Sequence, residues 1–340
     1  MQLKRLLPVF GIIILFIILT QVEFNEIYRI FTGLNLLYVV LSFFVLIPLL
    51  ILATIEWQLL LKRQRIQVSY WYSIKNFFIG YFYGFITPGG LGAYTRALYL
   101  QEESSAPLPK CFSNIIIFNT VEFFSMFIPG AVGAIILSSI YPYLFGIILL
   151  ILTIIILLFL FFFKTEYSRS IFKKIVRLRI FSGLRDRLEP SIDTFHEDIP
   201  GFKYVLFPFA LSVTGWMLKY TLLFFVAKMF QINIPFIYFI SIMAVVDVIA
   251  SIPISSYGLG IRDGSLLYLL TQFVFIDGRM ISINQLETIP PASIITTEQV
   301  ISYSLFLYLI IWLTPSLIGA IITIYETHQL HTTKKMNEQY

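Results

Sequence analysis

Residues 111–163 carry a single charge, Glu122, in 53 positions, and from Gln299 to Tyr325 there is none. A helix needs about 20 apolar residues to cross the hydrocarbon of a bilayer. Only structures that satisfy their own backbone hydrogen bonds survive there, and a helix does so within one segment. Folding such runs into a soluble core would require many amphipathic elements to cover them, and the chain offers one good candidate. Composition agrees: 58% of the 340 residues are hydrophobic and 13% are charged, against roughly a quarter charged in soluble domains. The predicted fold class is therefore all-α and integral to the membrane.

Full crossings are expected at Leu6–Val22, about 34–61, 111–139, 143–163, 204–229 and 299–325, with a hinge at Tyr141-Pro142-Tyr143. The first run follows Lys4 and Arg5 and so begins like a signal peptide, but no small-residue cleavage site follows it, and it is expected to be retained. Two further apolar stretches, 71–100 and 235–275, are interrupted by Thr87-Pro88-Gly89-Gly90-Leu91-Gly92 and by Pro253-Ile254-Ser255-Ser256-Tyr257-Gly258-Leu259-Gly260. Each arm is short for a crossing, which predicts two re-entrant helical hairpins. Non-helical backbone at membrane depth needs a covering of protein or water, so both breaks belong inside the bundle. The whole is expected to form one polytopic domain over 1–330, followed by a cytoplasmic tail at 331–340.

Lysine and arginine placement orients the chain. With both termini cytoplasmic, the inner segments hold seventeen of these residues and the outer loops hold two, Arg29 and Arg279. Nine of the seventeen lie between Lys164 and Lys203, where Ile171, Phe172, Ile175, Val176, Phe181 and Leu184 alternate with basic residues. That segment is expected to be a basic amphipathic helix on the cytoplasmic leaflet. A tethered membrane loop of this kind makes nucleic acid an improbable partner. In this orientation the first hairpin opens to the cytoplasm and the second to the outside, an inverted pseudo-repeat.

Both breaks share a pattern of proline, then Gly-Leu-Gly, then arginine: Pro88, Gly90-Leu91-Gly92, Arg96, and Pro253, Gly258-Leu259-Gly260, Arg262. Matching interrupted helices in the two halves of a transporter point to a midplane substrate site. Glycines admit close backbone approach, and the positive end of a new half-helix attracts anions. The bland alternative is that these glycines are helix-packing points. Lipid headgroup contacts are therefore expected at Arg96, Arg262, Pro88, Gly90, Gly92, Pro253, Ser255, Gly258 and Gly260. Ionisable groups inside apolar segments should pair: Arg262 with Asp247 or Asp263, with Glu122 a further charge partner. Glu56 lies near a helix end and could reach headgroups, and Lys219 and Lys228 could snorkel to an interface.

The segments Gly80…Thr87-Pro88-Gly89-Gly90-Leu91-Gly92…Arg96 and Ile252-Pro253-Ile254-Ser255…Gly258-Leu259-Gly260-Ile261-Arg262-Asp263 resemble the two signature motifs of the lysylphosphatidylglycerol synthetase transmembrane (flippase) domain family. Trp57…Leu59-Leu60 and Glu122 also look like that family, and the likeness runs over about 10–325. The resemblance implies a membrane domain that moves anionic, aminoacylated or polyprenyl-linked lipids between leaflets. Ala93 and Phe123 depart from the family pattern, which often has an acidic residue and an arginine there. The cytosolic aminoacyl-transferase domain of bifunctional relatives has no counterpart in this sequence.

No P-loop, zinc-protease helix or nucleophile elbow is present, so no enzymatic activity is expected. Pro253-Ile254-Ser255-Ser256 also resembles a loop of undecaprenyl-diphosphate phosphatases, but no histidine follows and no paired glutamates precede it. Metal-assisted phosphoryl transfer would need such carboxylates. A non-transporting membrane scaffold is the third possibility. Cys111 is the lone cysteine, and His196, His328 and His331 are unclustered, so neither a metal nor a cofactor is expected. The sequence thus favours a flippase-like carrier in the cell membrane whose partners are membrane lipids.

Overall fold

A computed structural model describes residues 23–138, 165–176, 185–196, 199–251, 260–276, 279–282 and 294–337, with a few isolated positions between 146 and 157. The expected span at 6–22, most of that at 143–163, and the centre of the second break (252–259) lie outside the described residues. The described chain runs through α1 (Phe24–Thr32), α2 (Leu36–Phe43), α3 (Leu46–Arg63), α4 (Tyr70–Ile86), a 3-10 segment (Pro88–Thr95), α5 (Arg96–Ser104) and α6 (Leu108–Leu137). It continues through α7 (Thr165–Val176), α8 (Arg185–His196), α9 (Phe202–Met229), α10 (Phe236–Ala250) and α11 (Ile261–Thr271). After the strands β1 (Phe273–Ile276) and β2 (Arg279–Ser282) come α12 (Thr297–Tyr308), a π-helical turn (Leu309–Leu313) and α13 (Thr314–Asn337).

Four described stretches are long and apolar enough to cross a membrane: Leu36–Arg63, Leu108–Leu137, Lys203–Met229 and Thr297–Tyr325. Each falls within a few residues of a span read from the sequence. Their local signals are ordinary ones. Ser69 caps α4 by accepting the Tyr72 N–H at 3.1 Å. The Thr296 hydroxyl and Gln299 amide cap α12 reciprocally. The wide turn at Leu309–Leu313 precedes Pro315, whose missing N–H and bulky ring do not fit a regular helix interior.

The outward surface is apolar. Ile55, Ile128, Val132, Phe207, Phe225 and Ile321 are exposed on the long helices, an arrangement that water would not tolerate over so large an area and lipid does. Inside, one apolar cluster gathers α9, α10, α11 and α12, and another gathers α3, α4, α5 and α6.

The two halves pack reciprocally. The long helix after the first glycine turn, α6, lies along α10, the first arm before the second break. The last helix, α13, lies along α4, the arm before the first glycine break. Glycine permits both approaches: a Cβ at Gly133 would strike the Ser241 backbone, and one at Gly319 would overlap the Phe78 carbonyl.

One expectation needs correction. The basic segment at 164–203 holds two helices, α7 and α8, instead of one. They are joined by Asp193, which pairs with Lys173 at 2.7 Å and Arg169 at 3.1 Å, while Phe172 packs against Phe195 and His196. Helix α13 continues to Asn337, into the 331–340 segment. The strands β1 and β2 form an antiparallel pair, with Phe273 opposite Ser282 and Ile276 opposite Arg279. The intervening Asp277-Gly278 was a readable hairpin signal.

Candidate functional site

At the first break the chain folds back on itself. The Thr87 hydroxyl donates to the Tyr83 carbonyl at 2.7 Å and accepts the Gly92 N–H at 2.6 Å. Gly90 has φ 70°, a left-handed value that favours glycine. A Cβ at Gly92 would collide with the Tyr83 carbonyl, so the 3-10 segment from Pro88 to Thr95 lies directly on the end of α4. This return delivers Arg96, the first residue of α5, back along α4.

Arg96 is 5% exposed. Asn76 holds it twice, donating to its carbonyl at 3.2 Å and accepting from its Nε at 2.9 Å. The guanidinium lies over the rings of Phe77 (4.0 Å), Trp57 (4.5 Å) and Phe118 (5.6 Å). Trp57 is fixed in turn, its indole N–H donating to Asn114 Oδ1 at 2.7 Å. Gly80 forms the notch through which the side chain passes, since a Cβ there would overlap Arg96 Cδ. Arg96 Nη2 is buried with no hydrogen-bond partner, and no carboxylate pairs with Arg96 among the described residues.

The second half is built differently. Gly260 has φ 81° and starts α11, placing Arg262 and Asp263 in its first turn. Asp263 Oδ2 accepts the Gly260 N–H at 2.7 Å, while its Oδ1 accepts Arg262 Nη2 at 3.2 Å and the Ser304 hydroxyl. Arg262 Nη2 also donates to the Ser304 carbonyl at 3.2 Å, leaving Nε without a partner among the described residues. Arg262 and Asp263 are each 6% exposed. Pro253, Ser255 and Gly258 lie in the segment outside the described residues.

At the start of α5 the Arg96 N–H already donates to carbonyls of the 3-10 segment, and at the start of α11 the Gly260 N–H donates to Asp263. At the first turn, anion attraction falls to the guanidinium.

Asp247 is not the partner of Arg262. Its Oδ2 accepts from Lys219 Nζ at 2.8 Å, and the ammonium lies 4.3 Å from the Trp216 ring, so Lys219 is held inside and does not reach for an interface. Lys228, by contrast, is near the surface with Asn233. Glu56 does not extend to headgroups either. It is buried, in contact with Glu122 and Ser212. Asn76, Ser212 and Ser304 escaped sequence reading, because a single polar residue on an apolar helix looks the same whether it lines a site or bonds its own backbone.

The family model described as "Lysylphosphatidylglycerol synthase TM region" matches residues 6–275. The chain belongs to that family. The match includes both glycine breaks, Glu56, Glu122 and both buried arginines, and stops before α12. No curated protein matches. Membership and the apolar spans together make this a multi-pass membrane protein with a role connected to membrane lipids.

Proposed function

We propose that the protein is a flippase-like carrier, and not an enzyme, that moves a phosphate-bearing lipid between leaflets with its headgroup held at Arg96. The observation that carries this reading is the buried guanidinium with an unused donor and no described carboxylate. A charge in that position is unfavourable unless something neutralises it, and a phosphate oxygen suits the free edge of a guanidinium. Aromatic rings pack around the cation, and its buried Nη2 keeps a donor without a partner among the described residues.

The reciprocal packing of the halves supports alternating exposure. In this reading six crossings and two oppositely directed re-entrant hairpins sit in the cell membrane with both termini in the cytoplasm. Rocking of one half against the other would carry the headgroup past the midplane while its chains stay in lipid. Pro88, Gly90 and Gly92 would shape the inner approach, and Pro253, Ser255, Gly258, Gly260 and Arg262 the outer one.

The test is exchange of fluorescent phosphatidylglycerol between leaflets of phosphatidylcholine vesicles containing the purified protein, read by dithionite quenching. Losing a charge-assisted bond of about 1.5–3 kcal/mol predicts that Arg96→Gln slows exchange about tenfold to a hundredfold. Arg96→Lys should retain part of the rate, and Gly80→Ala, which pushes the side chain out of its notch, should slow exchange without touching the charge. Melting temperature should hold or rise for Arg96→Gln, because a desolvated cation is removed. Wild-type exchange by Arg96→Gln would refute the assignment.

A further inference from the structure

Two carboxyl groups meet inside the bundle. Glu56 on α3 is 1% exposed, and its carboxyl is in hydrogen-bonding contact with Glu122 of α6 and Ser212 of α9. Its Oε1 has no donor among the described residues. Ser212 is shared with Ser125 at 2.6 Å, so its single hydrogen cannot serve every oxygen around it. With Glu56 closed off from water and Glu122 half-buried against it, the two carboxylates in contact disfavour being ionised together. One proton removes the repulsion and turns an acceptor–acceptor contact into a hydrogen bond.

The groups facing the pair set how that proton responds. From α9 comes Lys219, in electrostatic range of Glu122 but committed to Asp247 of α10. From α4 comes Tyr81, in range of both Glu122 and Arg96. Tyr81 packs on Trp312, and its carbonyl accepts from Ser316, so it joins the first hairpin to the last span. Fully ionised, Glu56, Glu122 and Asp247 outnumber Lys219 and Arg96 by one charge. A single proton makes the set neutral. A headgroup anion on Arg96 restores the excess, and a second proton on the pair cancels it.

We infer that the Glu56–Glu122 pair is a proton-binding site coupled to headgroup loading at Arg96, so that a lipid anion and a proton cross the membrane together. The proton adds to a carboxylate oxygen on one side and leaves it on the other, with no bond of the lipid broken. Linkage makes the effect mutual: protonation tightens anion binding by the factor by which the anion favours protonation. The coupling rests on the Arg96 reading, while the proton site itself does not.

Two measurements separate them. Infrared spectra of the lipid-free protein at neutral pH should show a protonated carboxyl band that shifts in heavy water and disappears in Glu56→Gln and in Glu122→Gln. In vesicles holding fluorescent phosphatidylglycerol under a pH difference of about one unit, one-to-one coupling predicts accumulation in the alkaline-side leaflet by about tenfold. A protonophore, or either glutamine variant, should bring that ratio to about one. Absence of the band overturns the proton site regardless of transport. Downhill exchange that ignores the gradient overturns the coupling and leaves the carrier intact. A wild-type protein with the band but no exchange overturns the carrier reading, and the coupling with it.

Discussion

Arg96 and Arg262 occupy matching places after their glycine turns and keep different company. Arg96 is surrounded by rings and an amide, with no carboxylate among the described residues. Arg262 is bound to Asp263, which also accepts from Gly260 and Ser304. Removing one member of a buried pair strands the other at a cost of about 3–5 kcal/mol. Arg262→Gln should therefore lower the melting temperature in detergent, opposite to Arg96→Gln. Adding Asp263→Asn should recover part of the loss, and only part, because an amide offers one acceptor where the carboxylate offers two. A melt of Arg262→Gln indistinguishable from wild type would show that the pair contributes nothing to stability. The two arginines themselves were legible in the sequence, each standing within four residues after Gly-Leu-Gly. Their inequality was not, since Ser304 and Asn76 approach from elements 42 and 20 residues away.

At the scale of elements, the basic segment shows how an amphipathic pattern can mislead. Alternating apolar and basic residues suggested one membrane-surface helix, yet α7 and α8 pack against each other and α8 docks on α6. The join depends on His196, 7% exposed. Its Nδ1–H donates to the Ile192 carbonyl at 2.7 Å, so Nε2 is left to accept from the Ser168 hydroxyl at 3.0 Å. This requires the neutral ring, and burial pushes the imidazole below its usual value. Asp193 nearby is held below the usual carboxylate range by the Lys173 ammonium. A histidine shifted downward contributes stability above about pH 6.5 that is lost as pH falls through its folded value. Amide exchange across α7 and α8, corrected for intrinsic rates, should thus quicken between about pH 7.5 and about pH 5.5. His196→Gln should abolish that dependence, and equal protection at both pH values would contradict this account. Tyr167, Ile171 and Ile175, four residues apart on α7, remain exposed and give the pair an apolar edge.

At the scale of the whole molecule, orientation and mutual packing decide what the helices can do. The lysine and arginine asymmetry predicts that, after Cys111→Ser, a cysteine placed at Ser191 reacts with an impermeant maleimide only in opened cells. One placed at Ser282 should react in intact cells, and labelling of the Ser191 position from outside would reverse the orientation. The sequence by itself determined the class, the four described spans and the first break, because membrane insertion is governed by local hydrophobicity and breaks by local proline and glycine content. It also marked the ionisable residues, since each stands alone in an apolar run. Only the tertiary structure decided which of them meet. Glu56 lies 66 residues from Glu122, and Lys219 lies 28 from Asp247. Their pairing follows from α3 and α10 packing on α9, and from glycines that let α6 approach α10. Such contacts depend on the rotation of each helix about its own axis, and uniformly apolar helices carry no polar stripe from which that rotation can be read.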